Sequence, residues 1–283
     1  MSNLLSNRYD FMFVFDVTNG NPNGDPDAGN APRTDAETGL GIVSDVCIKR
    51  KIRNFVDLVK GDEEGYAIYV QESAVLNERN QLAYDALGVG KKDAKSREAD
   101  LRQWMCDHYY DVRTFGAVMS TKVDCGRVTG PVQLCFAQSV DPIMPTSMTI
   151  TRMAVAEASD GKNQTMGNKQ YIPYGLYVMK GFVSAPLARK SGFDEDDLNL
   201  LWDSLMNMFE NDRSAARGLM CPRKLIIFKH DSELGNASAG QLFDLVDVKK
   251  KIDTCVPRSF NDYEVIIPEN EQLPEGISVT VRG

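Results

Sequence analysis

An apolar segment near the start of the sequence, residues 9–17 (YDFMFVFDV), constrains the fold more than any other feature. Its middle part, FMFVF, is apolar at consecutive positions rather than at alternate ones. A strand with one face in water alternates apolar and polar residues, whereas a strand covered on both faces is continuously apolar. The segment therefore predicts a central strand of a sheet with a packed layer on each side.

Further strands and helices follow in an order typical of an α+β protein. Ser44 is a suitable N-cap for a helix whose apolar face holds Ile48, Ile52, Phe55 and Val59. The pattern predicts a second amphipathic helix over residues 194–210, a helical insertion over 78–110, and strands over 66–70, 174–184, 224–229, 263–267 and 277–281. This order predicts a single domain, residues 1–283, with an RRM-like (ferredoxin-like) core and large insertions.

The composition excludes several classes of protein. With 42% hydrophobic and 25% charged residues, the 283-residue chain is not a disordered, collagen-like or coiled-coil sequence. No apolar run approaches the roughly 20 residues that cross a bilayer, and the start MSNLLSNRYD does not resemble a secretory signal. We therefore expect a soluble cytoplasmic protein that contacts no membrane. His108 and His230, the only histidines, adjoin no nucleophile motif, and we expect both to be structural.

The charged residues are unevenly distributed. The net charge of −8 argues against a protein that coats nucleic acid by bulk charge. Residues 44–60, however, hold five Lys or Arg against two acids, residues 213–230 hold five against none, and residues 191–212 hold seven acids and no base. This pattern predicts basic stripes on an otherwise acidic surface, although ordinary solvated helix faces could also produce it.

A phosphate site is predicted where the first helix begins. The N-terminus of a helix presents unpaired N–H groups at the positive end of its dipole, and Gly39 and Gly41 just before Ser44 allow close approach of a ligand. Lys49 and Arg53, one turn apart, would extend this site, and with Arg50 we expect them to point away from the apolar stripe. The alternative is that Arg53 pairs with Asp57. Arg213 and Arg217 repeat the one-turn spacing and predict a second phosphate contact or a subunit contact.

Residues 18–42 form a stretch of glycine, proline, asparagine and aspartate that is far longer than an ordinary connection. We interpret it as a functional loop. Asp25 and Asp27 could hold Mg²⁺ through their carboxylates, but the sequence around them, NPNGDP, is also typical of tight turns.

Residues 141–171 match the periodicity of neither a core helix nor a core strand, and we interpret them as an excursion from the domain. They carry Met144, Met148, Met153 and Met166 beside Arg152, Lys162 and Lys169. Flexible apolar side chains flanked by cations can wedge between bases while the cations hold phosphates. The alternative, methionines that fill a local core, is less suited to so polar a segment.

Several longer blocks resemble a known family. The run NPNGDPDAGNAPRTDAETGLGIVSDVCIKRKIRNFV at residues 21–56 resembles the opening of the CRISPR-associated backbone subunits of type I Cascade, in the RAMP superfamily, especially those of the I-C and I-B branches. Later blocks look like the I-C branch in particular: TFGAV at 114–118, GPVQ at 130–133, ITRMAV at 150–155, MGNKQYIPYGLY at 166–177 and DRSAARGLM at 212–220. The resemblance extends over nearly the whole chain.

The resemblance implies an RRM-like palm with an extended thumb at residues 141–171. Copies of the subunit would form a head-to-tail filament along a crRNA, next to other Cascade subunits. The palm would hold phosphates, the thumb would displace a base at regular intervals, and the guide would pair with target DNA. It implies no cofactor, no metal and no catalytic residue. The expected RNA contacts are Asn23, Gly24, Arg33, Ser44, Lys49, Arg50, Arg53, Arg152, Lys169, Arg213 and Arg217, and the expected wedge residues are Met144, Met148, Met153 and Met166.

A related branch provides the alternative function. Type III backbone subunits are similar, but they place a catalytic aspartate in the loop after the first strand and cleave target RNA. Asp25 and Asp27 lie in the comparable loop. A Mg²⁺-dependent endoribonuclease therefore remains the competing hypothesis, and the I-C-like blocks favour the subunit without catalysis.

Overall fold

The computed structural model describes residues 4–90, 92–151 and 166–283, and an antiparallel sheet forms its centre. The strands are β1 (Tyr9–Gly20), β2 (Gly24–Asp25), β3 (Ala31–Pro32), β4 (Leu40–Val43), β5 (Gly116–Ser120), β6 (Asp124–Thr129), β7 (Val132–Leu134), β8 (Ala137–Pro142), β9 (Thr146–Thr151), β10 (Met166–Val183), β11 (Leu219–His230), β12 (Asp247–Lys250), β13 (Tyr263–Ile266) and β14 (Ile277–Arg282). The main sheet has the order β14-β11-β1-β10-β8-β4, and β7 and β9 also pair with β10. A mixed α/β protein with a large antiparallel sheet is thereby confirmed.

β1 is the central strand that its apolar run predicts. It pairs with β10 from Tyr9 opposite Val183 to Gly20 opposite Ile172, and with β11 on its other side. Phe11, Phe13 and Phe15 face one side of the sheet, Met12 and Val14 face the other, and all are buried. The continuous burial explains why apolar residues occupy consecutive positions.

Two long helices cover one face of the sheet. The helices of the chain are α1 (Asp45–Lys60), α2 (Leu76–Leu87), α3 (Glu98–His108), α4 (Tyr110–Phe115), α5 (Ala185–Ser191), α6 (Glu195–Asn211) and α7 (Ala239–Phe243). α1 and α6 bury apolar side chains against Phe13 and Phe15, and the Phe209 ring of α6 lies 5.4 Å from that of Phe15. None of the described helices has the length and apolar character that a bilayer crossing requires.

The cap of α1 is as predicted, but its apolar stripe is not entirely so. Ser44 caps α1 and Asp194 caps α6 through their side chains. Ile48 and Ile52 are fully buried and Phe55 is partly buried, whereas Val59 is 46% exposed and Val56 is buried in its place. The prediction for Val59 was wrong because the covered face ends one turn before the helix does.

The helical insertion packs beside the sheet with a core of its own. α2, α3 and the β5–β6 hairpin enclose Tyr69, Met105 and Cys125. The predicted strand at 66–70 is wrong: only Ala67 forms an isolated bridge, to Tyr109. The carboxylate of Asp111 accepts hydrogen bonds from the backbone N–H groups of Tyr69 (2.7 Å) and Val70 (3.0 Å). In a β-strand these N–H groups would instead pair with the backbone of a neighbouring strand.

The second face of the sheet is covered by the C-terminal part of the chain. Phe243 of α7 and Val248 of β12 pack on Met12 and Phe228. Farther along β1, Asp16 is buried on this face and accepts hydrogen bonds from Tyr174 Oη (2.9 Å) and Arg223 Nη2 (2.8 Å). The side chains along most of β1 are therefore buried on both faces of the sheet.

Both histidines have structural positions, as predicted. His230 is fully buried, and its Nε2 lies 2.9 Å from Asp10 Oδ2 while its Nδ1 accepts the N–H of Asn236. His108 stacks on Trp104 with ring centroids 3.8 Å apart.

Candidate nucleic-acid interface

A groove of about 440 Å³ opens where β1 ends. Three segments meet there: residues 21–30 after β1, the first turns of α1, and residues 212–217 between α6 and β11. A hydrogen bond from Asn21 N to Ala216 O (2.8 Å) joins the first segment to the last. We call this cavity the α1 groove. Of the residues predicted from the sequence, it brings together Asn23, Gly24, Ser44, Arg50 and Arg217.

The N-terminus of α1 is held in place by Asn23. The Ser44 side chain accepts a hydrogen bond from Cys47 N (3.4 Å), and Asn23 Oδ1 accepts from both Ser44 N and Ser44 Oγ (2.9 Å each). The loop after β1 is therefore attached to the helix that it faces. Because first-turn N–H groups have no partner within their own helix and lie at the positive end of its dipole, this end of the groove favours an anion.

Replacing Asn23 by alanine tests this attachment. Asn23→Ala removes the acceptor for two donors of Ser44, and we expect the free energy of unfolding to fall by about 1–2 kcal/mol. Urea denaturation measures the change. Asn54→Ala, on an exposed position of α1, is the matched control and should stay within about 0.5 kcal/mol of wild type. Equal stabilities of the two variants would show that Asn23 does not anchor the helix.

Two arginines supply the accessible positive charge of the groove. The Arg50 side chain is 60% exposed, and its ion pair with Glu72 is long at 3.4 Å. Arg217 is 35% exposed and pairs with Asp212 at 2.8 Å. Asp212 also forms a buried ion pair with Lys51, so one carboxylate serves two cations. The excess positive charge, together with the dipole of α1, suits a phosphate diester.

Lys49 and Arg53 are placed differently from our expectation. Both lie beside the Phe115 ring, and neither lines the α1 groove. Arg53 Nε donates to Asp111 Oδ2 (2.7 Å), with 11% of the arginine side chain exposed, and Lys49 Nζ pairs with Asp45 at 2.8 Å. The expectation that these two side chains point away from the packed surface was wrong, because carboxylates of the protein itself already bind them. Arg53 pairs with Asp111 rather than with Asp57.

Contacts within the protein hold three further predicted residues, Arg33, Gly24 and Arg213. Arg33 Nη2 is 3.5 Å from Asp25 Oδ1, in the hairpin of β2 and β3. Gly24 permits close packing, since a Cβ there would lie 1.9 Å from Asn30 Oδ1. Arg213 is exposed, pairs with Glu210, and does not line the groove. Residues 212–218 are not helical, so the spacing of Arg213 and Arg217 does not place them on one helix face.

Asp25 and Asp27 share a short helical turn. Asp25 Oδ1 accepts the N–H of Asp27 (3.2 Å) and faces Arg33, whereas Asp27 is exposed. In the part of the chain that the structure describes, no three His, Cys, Asp or Glu side chains come together as a metal site requires. The geometry therefore gives Asp25 a role in the turn.

The predicted thumb forms a hairpin with exposed methionines. β9 pairs with the first residues of β10, and Met148 lies opposite Lys169. Met144 and Met166 are 79% and 73% exposed, and Met148 and Lys169 line a small cavity of about 180 Å³ with Asn19 and Tyr171. Apolar and cationic side chains thus share one surface next to the end of β1. Arg152 and Met153, also predicted here, lie outside the described residues.

Sequence reasoning missed three residues of the groove. Lys51 and Asp212 form its buried ion pair, and Asn21, also buried, donates from Nδ2 to Asn30 O (2.7 Å). The sequence signal for Lys51 was the basic run at residues 49–51. In the structure the middle residue of that run, Arg50, is exposed, and the two lysines beside it are not. Burial raises the pKa of the Cys47 thiol, so this residue lines the groove in its neutral form.

The fold and the groove define an α+β protein with a candidate site for a polyanion, and comparison with known proteins agrees with that class. The sequence profile of the family described as CRISPR-associated protein Cas7 matches residues 7–268. A Haloferax volcanii protein of that same description is 26% identical over 298 positions, which cover 96% of this chain and 84% of the relative. One chain of a solved structure named CRISPR RNA-guided surveillance complex, pre-nicking, superposes with a TM-score of 0.52 at 16% identity and covers 78% of both chains.

The family match spans nearly the whole length, and this chain belongs to the Cas7 family of CRISPR-associated proteins. The family inferred from the sequence blocks is thereby confirmed. The I-C branch stays a prediction.

Proposed function

We propose that this chain is a backbone subunit of a CRISPR RNA-guided surveillance complex and that it holds crRNA phosphates in the α1 groove. The observation that carries the proposal is the convergence of a capped helix N-terminus, Arg50 and Arg217 on one groove at the end of the central strand. Backbone contacts of this kind fix the register of a nucleic acid without reading its sequence. The guide would then select target DNA by base pairing.

The family membership supports this role, and so does the order of the sheet. The sheet contains β11-β1-β10-β8, with α1 between β1 and β8 in the chain and α6 between β10 and β11. This is the arrangement expected of an RRM-like palm. The I-C-like blocks favour a type I-C complex, in which copies of this chain form a filament along the crRNA beside other Cascade subunits.

The β9–β10 hairpin is the proposed thumb. Met144, Met148 and Met166 would separate neighbouring bases, and Lys169 would hold an adjacent phosphate. The support is their exposure, since methionines that filled a local core would be buried. An apolar wedge that unstacks one step and cations that hold the backbone would together present the guide in short segments.

Reconstitution on crRNA tests the proposal. Purified protein mixed with an RNA long enough for several copies should form particles whose mass, measured by mass photometry, rises in equal steps with RNA length. Ribonuclease digestion should then leave fragments at a regular spacing. A mass that corresponds to one protein per RNA at every length would contradict the backbone role.

A second prediction separates this role from that of a nuclease. Hydrolysis through a metal needs carboxylates to hold the ion and to aim the water, so an endoribonuclease would require Asp25 or Asp27. We expect wild-type protein with Mg²⁺ or Mn²⁺ to leave complementary RNA uncut, and the Asp25→Asn, Asp27→Asn double variant still to assemble on crRNA. Regular metal-dependent cleavage that either substitution abolishes would assign the chain to the type III branch.

A further inference from the structure

A second, unassigned pocket lies at the other end of β1. It measures about 430 Å³ and lies between α3, the β5–β6 hairpin and α5. Three cationic side chains line it: Arg102 of α3, Arg127 of β6 and Lys190 of α5. Leu187 and Val128 supply apolar walls. We call this cavity the cationic pocket.

The positive charge of the cationic pocket is largely unbalanced. Glu98 pairs with Arg102 at 3.3 Å, and the ion pairs found among the described residues involve neither Arg127 nor Lys190, both of which are exposed. Cys106, the remaining titratable group of the lining, is buried, which raises its pKa to about 12 and keeps it neutral. Three cations against one carboxylate make this a site for an anionic partner.

The matching negative charge lies beside the α1 groove. The loop between β1 and β4 presents Asp27, Asp35 and Glu37, none of which takes part in an ion pair within the described residues. Hydrogen bonds from the backbone N–H groups of Thr38 and Glu37 lower the pKa of Asp35, so this group stays ionised. We call residues 25–39 the acidic loop. Acids next to a phosphate groove would repel RNA unless another cation neutralised them.

The two features lie at opposite ends of the same strand. α5 follows Val183, which pairs with Tyr9 at the start of β1, whereas the acidic loop follows Gly20 at its end. β1 is 12 residues long, which corresponds to about 36 Å between its ends. The acidic loop therefore cannot reach the cationic pocket of its own chain, but it can reach the pocket of a second copy. A contact between two different surfaces of identical chains repeats without closing and builds a filament.

We propose that the acidic loop of one copy binds the cationic pocket of the next copy, with Asp27 and Glu37 facing Arg127 and Lys190. This contact rests on the proposed function, because it supplies the protein–protein half of assembly along crRNA. It also explains how a chain of net charge −8 can line up on RNA. Each junction neutralises acids that lie next to the phosphates.

Charge reversal tests the contact directly. Arg127→Glu with Lys190→Glu, or Asp27→Lys with Glu37→Lys, places like charges opposite each other, and each double variant should weaken cooperative assembly on a long RNA by roughly tenfold or more. The fourfold variant keeps the wild-type net charge of −8 and pairs the reversed charges again. It should recover most of the assembly. Net charge alone does not explain this set of results, because the two double variants change the net charge in opposite directions and both weaken assembly. Arg127→Gln with Lys190→Gln is a milder variant that should weaken assembly less.

Matched controls change the same charge elsewhere on the surface. Lys95→Glu with Lys122→Glu alters exposed residues of the helical insertion outside the cationic pocket, and Asp62→Lys with Glu64→Lys alters exposed acids after α1. Both should assemble as wild type does. Thermal unfolding of every variant shows whether the fold is retained.

Binding to a short RNA that holds a single copy separates the possible failures. The variant with Arg127→Glu and Lys190→Glu should bind this short RNA with the wild-type affinity. If wild type assembles on long RNA but the reversals do not weaken assembly, or if the fourfold variant fails to recover, the contact is wrong and the backbone role stands. If the variant with Arg127→Glu and Lys190→Glu binds short RNA more weakly than wild type, the cationic pocket holds nucleic acid, and the proposed contact with the acidic loop is likewise wrong. If wild type does not assemble at all, the proposed function fails and the contact with it.

Discussion

Arg113→Met is expected to lower the free energy of unfolding by about 3–5 kcal/mol at neutral pH. Arg113, in α4, donates from Nε and Nη2 to the two carboxylate oxygens of Asp197 in α6, at 2.7 Å each, and both side chains are buried. The pair connects the helical insertion to the sheet. Removing the arginine leaves a buried carboxylate without its counterion, which costs far more than losing an exposed ion pair.

The loss should depend on pH with a definite sign. Burial already raises the pKa of Asp197 despite the opposing effect of Arg113, and without the arginine this pKa rises further. A carboxyl group whose pKa is higher in the folded state than in the unfolded state binds a proton more readily when folded. The deficit of Arg113→Met is therefore complete above the folded pKa and shrinks as the pH falls through it.

Urea denaturation across the acid range measures both effects. Asp197→Asn in the Arg113→Met background removes the buried charge, and this double variant should recover part of the stability at neutral pH and lose the pH dependence. Arg97→Met, which breaks an exposed pair with Asp100, is the control and should cost at most about 1 kcal/mol. A deficit that does not change with pH would mean that the lost packing of Arg113 against Tyr66 and Tyr110, not the charge, is responsible.

Local signals in the sequence predicted the parts of the fold that depend on neighbours along the chain. The apolar run of β1, the Ser44 cap and the amphipathic pattern of α6 each specify one element within a few residues. The strand expected at 66–70 failed because its backbone N–H groups bind Asp111, about forty residues away. No local pattern reveals a partner at that distance.

The candidate site likewise contains residues that local sequence signals predict and residues that only tertiary contacts place. Ser44, Gly24 and Asn23 lie where the helix cap and the turn residues indicated. Residue spacing along α1 could not show which of its cations stay exposed. The carboxylate that binds Arg53 comes from α4, and the carboxylate that binds Lys51 follows α6. The charge pattern predicted a basic stripe, and the tertiary ion pairs decided that Arg50 is its exposed member.

Arg50→Ala with Arg217→Ala should weaken RNA binding about 100-fold at low salt. Each arginine contributes a charge-assisted hydrogen bond to phosphate, and two such contacts together account for a loss of that size. Because each neutralised phosphate of a single strand releases counterions, the slope of log K against log salt should fall by about 1.4. Fluorescence anisotropy with a labelled RNA that holds a single copy, at several salt concentrations, measures affinity and slope together.

Two controls make this loss specific to the α1 groove. Arg97→Ala with Lys122→Ala changes the net charge equally at exposed positions outside the groove and should leave the slope unchanged. Lys49→Ala removes a cation of α1 that pairs with Asp45; if its slope falls as well, the path of the phosphates extends along α1 towards Arg53. Lys51 should not be replaced in this experiment, because its buried pair with Asp212 stabilises the fold. If the Arg50, Arg217 variant binds with the wild-type slope, the RNA follows another surface, and Lys169 of the β9–β10 hairpin becomes the first residue to replace.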